Sequence, residues 1–131
     1  MENSAEKKQE TLLELLIKND KLTHKGYLKP EEVEELRTKH NQKQGWINHI
    51  FVYEDETTMV HSYFKKADKF TMARAISLHA QDKILESGEC ILVNCFIGGD
   101  ERVKTDEDLL IATSIKLTNA THYHGGALEN V

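Results

Sequence analysis

The sequence predicts an α+β fold, mainly helical, in which a β-hairpin packs with three C-terminal helices and follows an N-terminal helical extension. Two observations predict it. Two runs rich in β-branched and aromatic residues flank a short acidic turn, and three later segments repeat apolar residues at helical spacing. At 131 residues the chain suits one domain, which we place at residues 46–131 after a helical arm at residues 1–45.

The arm is expected to begin with a helix over residues 4–19. Ser4 is a suitable N-cap, and a charged first half precedes an apolar cluster. This cluster supplies the predicted partner-binding residues, which are Leu12, Leu13, Leu16 and Ile17. Pro30 and the two glutamates after it predict the first turn of a second helix that continues to Lys43, because proline suits the first helical position.

The hairpin is predicted over residues 46–53 (WINHIFVY) and 57–65 (TTMVHSYFK). A lone two-stranded hairpin is marginally stable in water. We therefore expect it to pack on helices, to pair with another strand, or to extend its edge into a neighbouring subunit. His49 and His61 are placed to face each other across the hairpin, and cross-strand polar pairing explains them as well as a metal site does.

The first two C-terminal helices are predicted from caps and apolar spacing. An Asp68 N-cap predicts a helix to about Gln81. Its apolar face is expected to contain Phe70, Ala73, Ile76 and Ala80. Asp82 is expected to cap a second, largely buried helix. That helix should end at Gly98 and Gly99, since glycine adopts the left-handed conformation of a C-cap at little steric cost.

The third C-terminal helix is predicted from a capping box. Thr105 and Asp108 have its spacing, and we expect the helix to run to about Thr121. Among the large apolar residues we expect five in the core, namely Phe64, Phe70, Ile91, Phe96 and Leu117.

Charge and composition exclude several classes of function. The net charge is −5, and the acidic excess falls entirely after residue 45. Because acidic surfaces repel phosphate backbones, we expect no nucleic-acid partner. No apolar run approaches the roughly 20 residues of a membrane-spanning helix, and the polar residues 1–10 lead us to expect no secretory signal. We expect an intracellular protein without membrane contact. Its Cys90 and Cys95 should stay reduced, since helical spacing turns the two thiols to different faces.

No residue pattern supports a catalytic centre, a cofactor site or a metal site. An enzyme or metal protein would have to use the two cysteines, His122, His124 and Asp100. The two histidines are two residues apart near a helix end, whereas chelation from one helix favours a spacing of three or four. The GxxxxGK[ST], GxSxG, GxGxxG and HExxH motifs are absent. We predict that the protein is not an enzyme and that it binds no cofactor or metal.

Three segments carry a resemblance to a group of known proteins. They are YFKKADK at residues 63–69, NCFIGGD at residues 94–100, and Thr105 with Asp106. Together they resemble small phage and prophage proteins of Bacteroides-type hosts that are tail-assembly-chaperone-like or otherwise belong to virion morphogenesis. The resemblance covers residues 30–117. Ala67 stands where the pattern has proline, and the helix predicted at residues 4–19 is an addition.

The resemblance implies a non-enzymatic bacteriophage assembly protein, tail-assembly-chaperone-like, that acts through protein–protein contacts in the cytoplasm of the bacterial host. Its partners would be phage tail or other virion proteins. A homo-oligomer formed through the hairpin edge or the first helix fits this role. The alternative is a structural or packaged component located in the virion. A further alternative, motivated by the small size and acidity of the chain, is an acidic inhibitor of a host defence protein.

Overall fold

The computed structural model describes residues 21–129, with side chains over residues 21–120. The elements in chain order are β1 (Thr23–Lys25), α1 (Pro30–Lys39), β2 (Asn48–Asp55), β3 (Thr58–Phe64), α2 (Lys69–Ala80), α3 (Ile84–Cys95), β4 (Phe96–Gly99), a 3₁₀ helix (Glu101–Lys104) and α4 (Glu107–Glu129). These helices and the four-stranded sheet confirm the predicted α+β class. The helix predicted over residues 4–19 lies outside the described residues.

The sheet is built around β3, which has neighbours on both edges. β2 pairs antiparallel along one edge and forms the predicted hairpin, with Phe51 opposite His61. The other edge is shared. β1 pairs parallel with the first half of β3, and β4 pairs antiparallel with its second half. Thus a segment that we assigned to the helical arm contributes a strand to the sheet.

β1 and β4 approach each other at the backbone of His61. The Asp100 N–H donates to the His61 carbonyl oxygen at 2.9 Å. Gly26 follows β1 with a φ of +80°, and a Cβ there would overlap both of these groups. Glycine is needed at this position because it combines a left-handed conformation with close approach of the backbone.

Two clusters of buried side chains join one face of the sheet to the helices. The larger is formed by Phe64, Ala75, Ile91, Leu92, Cys95 and Leu117. The smaller is formed by Val52, Val60, Val103 and Leu109. Phe96 packs against both clusters and so connects them. The core prediction is therefore confirmed for Phe64, Ile91 and Leu117.

The predicted core face of α2 was wrong. Phe70 is 87% exposed and Ile76 is 57% exposed. The helix instead turns Thr71 and Ala75 to the interior, where the Ser87 hydroxyl donates to the Ala75 carbonyl oxygen at 2.6 Å. Small side chains on this face let α3 approach closely. This close packing, and not the apolar stripe, decides which face of α2 is buried. The Asp68 N-cap is confirmed, since its carboxylate accepts the Thr71 N–H at 2.8 Å.

The predicted glycine end of the second C-terminal helix was also wrong. α3 ends at Cys95, and the chain continues in an extended conformation into β4. Gly98 and Gly99 lie inside this strand because two close approaches exclude a side chain. A Cβ at residue 98 would crowd Leu36 of α1, and one at residue 99 would overlap the His61 carbonyl oxygen.

The caps of the last two helices differ from the predicted ones. Lys83, not Asp82, occupies the N-cap position of α3, and Asp82 has a φ of +61° in the turn. At α4 the capping carboxylate belongs to Asp106, which accepts the Leu109 N–H at 3.1 Å. The Thr105 capping box is not formed, because the cap lies one residue further along the chain.

α3 and α4 pack closely at Gly88. A Cβ on this glycine would overlap the Ser114 carbonyl oxygen and the Thr118 hydroxyl. The same crossing is fixed by the Thr118 hydroxyl, which donates to the Ile84 carbonyl oxygen at 2.9 Å. Backbone contact between these helices therefore depends on the absence of a side chain at residue 88.

Replacing Gly88 by Ala should destabilise the protein by about 2 to 3 kcal/mol, because the added methyl group overpacks the helix crossing. In an open helix the same change stabilises by about 1 kcal/mol, so the sign of the effect tests the contact. Urea denaturation measures it, with Glu89→Ala in the same turn as the control. A Gly88→Ala variant more stable than the wild type would contradict the close crossing.

Candidate functional site

A row of three histidines lies on the face of the sheet opposite α2, α3 and α4. His24 comes from β1, His61 from β3 and His49 from β2. His24 Nδ1 lies 2.9 Å from His61 Nε2, and His61 Nδ1 lies 2.8 Å from His49 Nε2. The row therefore crosses three strands and ties β1 to the hairpin. His49 and His61 are therefore in contact, but the prediction that they face each other was wrong in register, since His49 lies opposite Tyr63 and His61 opposite Phe51.

The unpaired nitrogen of the row indicates the direction in which its hydrogen bonds run. His24 Nε2 is buried and has no hydrogen-bond partner. A buried donor without a partner is rarer than a buried acceptor without one. This assigns the proton of His24 to Nδ1, so that His24 donates to His61 and His61 donates to His49. Both nitrogens of His61 are then engaged by neighbouring rings, which leaves neither for a metal ion or a substrate.

Aromatic rings surround the row. Tyr63 stacks on His49 with centroids 4.4 Å apart, and Tyr27 meets His61 edge-on at 5.4 Å. The buried Tyr63 hydroxyl accepts the Leu28 N–H at 3.0 Å. Because Leu28 lies between β1 and α1, this bond fixes the segment that covers the histidines. Burial raises the pKa of Tyr63 to about 12, so the hydroxyl stays neutral at physiological pH.

The interior histidines are held neutral by their surroundings. Burial lowers the pKa of His49 from 6.5 to about 4. Burial, with a smaller contribution from the neighbouring rings, lowers the pKa of His61 to about 4 as well. A neutral row can form both ring-to-ring hydrogen bonds, whereas a charged ring would lose an acceptor and its solvation. The covered face is therefore suited to neutral pH.

A cluster of charged residues closes the end of the sheet near the hairpin turn. The Arg102 guanidinium donates to both oxygens of Glu54, with the shorter contact at 2.8 Å, and to Asp100 at 2.8 Å. Lys25 lies 3.8 Å from Glu54. Hydrogen bonds from Arg102 lower the pKa of both carboxyl groups. Asp100, one of the residues that an enzyme would have used, is thus engaged in joining β1, β2 and the 3₁₀ helix.

Two apolar features are exposed, and the second borders the histidine row, since the Phe51 ring lies 5.4 Å from the His49 ring and 5.9 Å from the His61 ring. The first, which we call the α2 outer face, consists of Phe70, Ala73, Ile76 and Ala80, all exposed. The second is the outer edge of β2, which carries Phe51 at 44% and Tyr53 at 63% exposure. Large apolar side chains grouped on one element are the usual mark of a protein contact, whereas scattered ones are not.

The predicted partner-binding residues, Leu12, Leu13, Leu16 and Ile17, lie outside the described residues. The side chains of His122 and His124 lie outside them too. Within the described part of the chain, no group of three or more His, Cys, Asp or Glu side chains is arranged to hold a metal ion. None of the helices described is long and apolar enough to cross a membrane.

Sequence reasoning missed His24 and the covering segment, since the three residues of β1 (THK) are too few to show strand periodicity. It identified the residues of the α2 outer face as one stripe but placed them in the core. The signal that corrects this placement is the pair of small residues, Thr71 and Ala75, on the other side of the same helix.

Comparisons of the chain with protein-family models, with curated proteins and with solved structures gave no match. The geometry and the residues themselves therefore support the proposals that follow.

Replacing Tyr63 by Phe should destabilise the protein by about 1 to 2 kcal/mol, because the Leu28 N–H loses its buried acceptor. Amide exchange at Leu28 should also become faster. Tyr53→Phe is the matched control, since the exposed Tyr53 should lose less than about 0.5 kcal/mol. Equal effects of the two substitutions would show that the Tyr63 hydroxyl does not hold the covering segment.

Acidification from pH 6.5 to pH 4 should reduce the free energy of unfolding by roughly 3 to 5 kcal/mol, with His49 and His61 both contributing. In this range the unfolded chain binds protons that the folded histidines, with pKa values of about 4, do not bind. The free energy of unfolding is therefore highest above about pH 6.5, and it decreases as the pH falls from there to 4. Urea denaturation at fixed pH values measures this loss.

His49→Phe is the control for the pH profile, because it keeps an aromatic ring against Tyr63 and removes one titrating group. Its stability should fall less steeply between pH 6.5 and 4. Asp100 and Glu54 stay charged through most of this range, since Arg102 lowers the pKa of each. A wild-type profile that is flat down to pH 4 would contradict the burial of neutral histidines.

Proposed function

We propose that the protein is a non-enzymatic bacteriophage assembly protein, tail-assembly-chaperone-like, that binds a phage tail protein through apolar contacts. The phage assignment rests on the resemblance of residues 63–69 and 94–100 and of the Thr105–Asp106 pair. The single observation that supports binding is the α2 outer face, where Phe70 is 87% exposed. A chaperone of this kind works in the cytoplasm of the bacterial host.

The α2 outer face suits an apolar helix of a partner. Its four residues recur at spacings of three, three and four, which places them along one stripe of α2. Such a stripe can pack against the apolar face of another helix. The resemblance implies a long tail-length protein as the partner, and a chaperone for it would have to cover apolar helical faces before assembly.

The net charge of −5 supports a solubilising role. A complex between this chain and an apolar helix would keep an acidic outer surface, and net charge away from zero keeps proteins soluble. The histidine row and the Arg102 cluster are engaged with one another, whereas the α2 outer face is exposed among the described residues and open to a partner.

Ile76→Lys should weaken the complex with the tail protein by about tenfold or more, because it places a charge in an apolar contact. Recovery of the tape-measure-like tail protein with a tagged chain from infected cells measures the complex. Ile115→Lys, on the exposed side of α4, is the matched control at 43% exposure and should bind as the wild type does.

Mass spectrometry of purified particles completes the test. A transient chaperone should be present in infected cells and absent from particles. Stoichiometric amounts in the particles would overturn this proposal in favour of a structural or packaged component. Recovery of a host defence protein, with no tail or head protein, would overturn it in favour of the acidic inhibitor.

A further inference from the structure

The outer edge of β2 is an open strand. β3 occupies its inner edge, and within residues 21–120 no strand pairs with the outer one. No turn or loop backbone hydrogen bond among these residues reaches positions 48–55 either. Unpaired N–H and C=O groups on a strand edge are a template for pairing with another strand.

This edge lacks the features that protect exposed strands from pairing. Proteins protect such edges with lysine, proline, short strands or a bulge in mid-strand. β2 has eight residues (NHIFVYED) with no lysine or proline, and its one irregularity lies beyond Tyr53. The strand is therefore long and regular enough to accept a partner over most of its length.

The sequence of β2 complements itself in one antiparallel register. With Phe51 on a two-fold axis, Phe51 faces Phe51 of the second copy, and Ile50 faces its Val52. On the same basis His49 faces Tyr53, and Asn48 faces Glu54. Apolar residues thus meet apolar ones, an amide meets a carboxylate, and no like charges lie opposite each other.

Neighbouring registers are less favourable. A shift of the axis to Val52 would place Ile50 opposite Glu54, whose carboxylate is bound to Arg102. A shift to Ile50 would place Phe51 opposite His49 and leave Tyr53 beyond the paired region. Only the register centred on Phe51 pairs the aromatic residues of both copies along the whole strand.

We propose that the protein forms a two-fold symmetric dimer in which the β2 strands of two copies pair antiparallel about Phe51. The two sheets then become one continuous sheet. The partner is a second copy because the complementarity lies within a single strand, as an isologous interface requires. This inference deepens the proposed assembly role but rests on a different element, β2, and not on the α2 outer face.

The full chain should have a weight-average mass near twice 15.0 kDa in light scattering at high concentration.

Phe51→Lys should raise the dissociation constant by about tenfold or more, because two lysines would meet at the axis. Ile115→Lys is the matched control, with 43% exposure against 44% for Phe51, and should dimerise normally. Circular dichroism checks that each variant is folded. A wild-type chain that stays monomeric, or a folded Phe51→Lys variant that still dimerises, would overturn the proposal.

Disulfide trapping tests the register without a charge change. In a Cys90→Ser background, Phe51→Cys should form a covalent dimer, since directly opposed residues lie within disulfide range. Tyr53→Cys should not, because the two copies of residue 53 would be separated by about 13 Å along the strands. Efficient cross-linking through residue 53 instead would overturn this register.

The chaperone proposal and the dimer proposal can be refuted independently of each other. Ile76→Lys should lose the tail protein and keep the dimer, whereas Phe51→Lys should lose the dimer and keep each monomer able to bind. A chain that dimerises but binds no tail protein would refute the chaperone role alone. A monomer that binds the tail protein would refute the β2 dimer alone.

Discussion

The fold depends on the burial of β3, which is covered on both edges by other strands and on both faces by side chains. Its residues Val60 to Phe64 are all buried, although alternate residues point to opposite faces of the sheet. One face is covered by apolar packing against the helices. The other is covered by the short segment from His24 to Leu28, which is held through hydrogen bonds to His61 and Tyr63. A central strand with polar residues on one face needs partners for each of them, and this requirement fixes the path of the chain from β1 to α1.

The sequence predicts most of the elements and fewer of their contacts. Strand alternation and turn residues suffice for the hairpin, and the Asp68 cap suffices for the start of α2. β1 is too short for periodicity to reveal. β4 has the residues of a helix C-cap, and only contact with Leu36 and with the His61 backbone shows why its glycines belong in a strand. Long-range contacts of this kind leave no local signal.

The α2 outer face shows a second limit of sequence patterns. Hydrophobic spacing identifies a stripe on a helix but does not say whether the stripe faces the core. Thr71 and Ala75 face the core because a close crossing with α3 needs small side chains and allows the Ser87 hydroxyl to reach a backbone carbonyl. For the candidate site, the sequence identified the contact of His49 with His61 but not the register that places His49 opposite Tyr63. It could not identify His24, which the parallel pairing of β1 brings to the row.

The two exposed apolar features lie on different parts of the sheet and helix layers, and their arrangement has a consequence for binding. An antiparallel pairing of β2 strands requires a two-fold axis perpendicular to the sheet, which keeps α2, α3 and α4 of both copies on the same side. α2 of each copy would then lie on that same side of the continuous sheet. Under the two proposals together, a long helical partner with repeated apolar faces would contact both copies of α2, and the second contact would form at high effective concentration. Weak contacts at each α2 outer face would thus suffice for firm binding, while each contact remained easy to release during assembly.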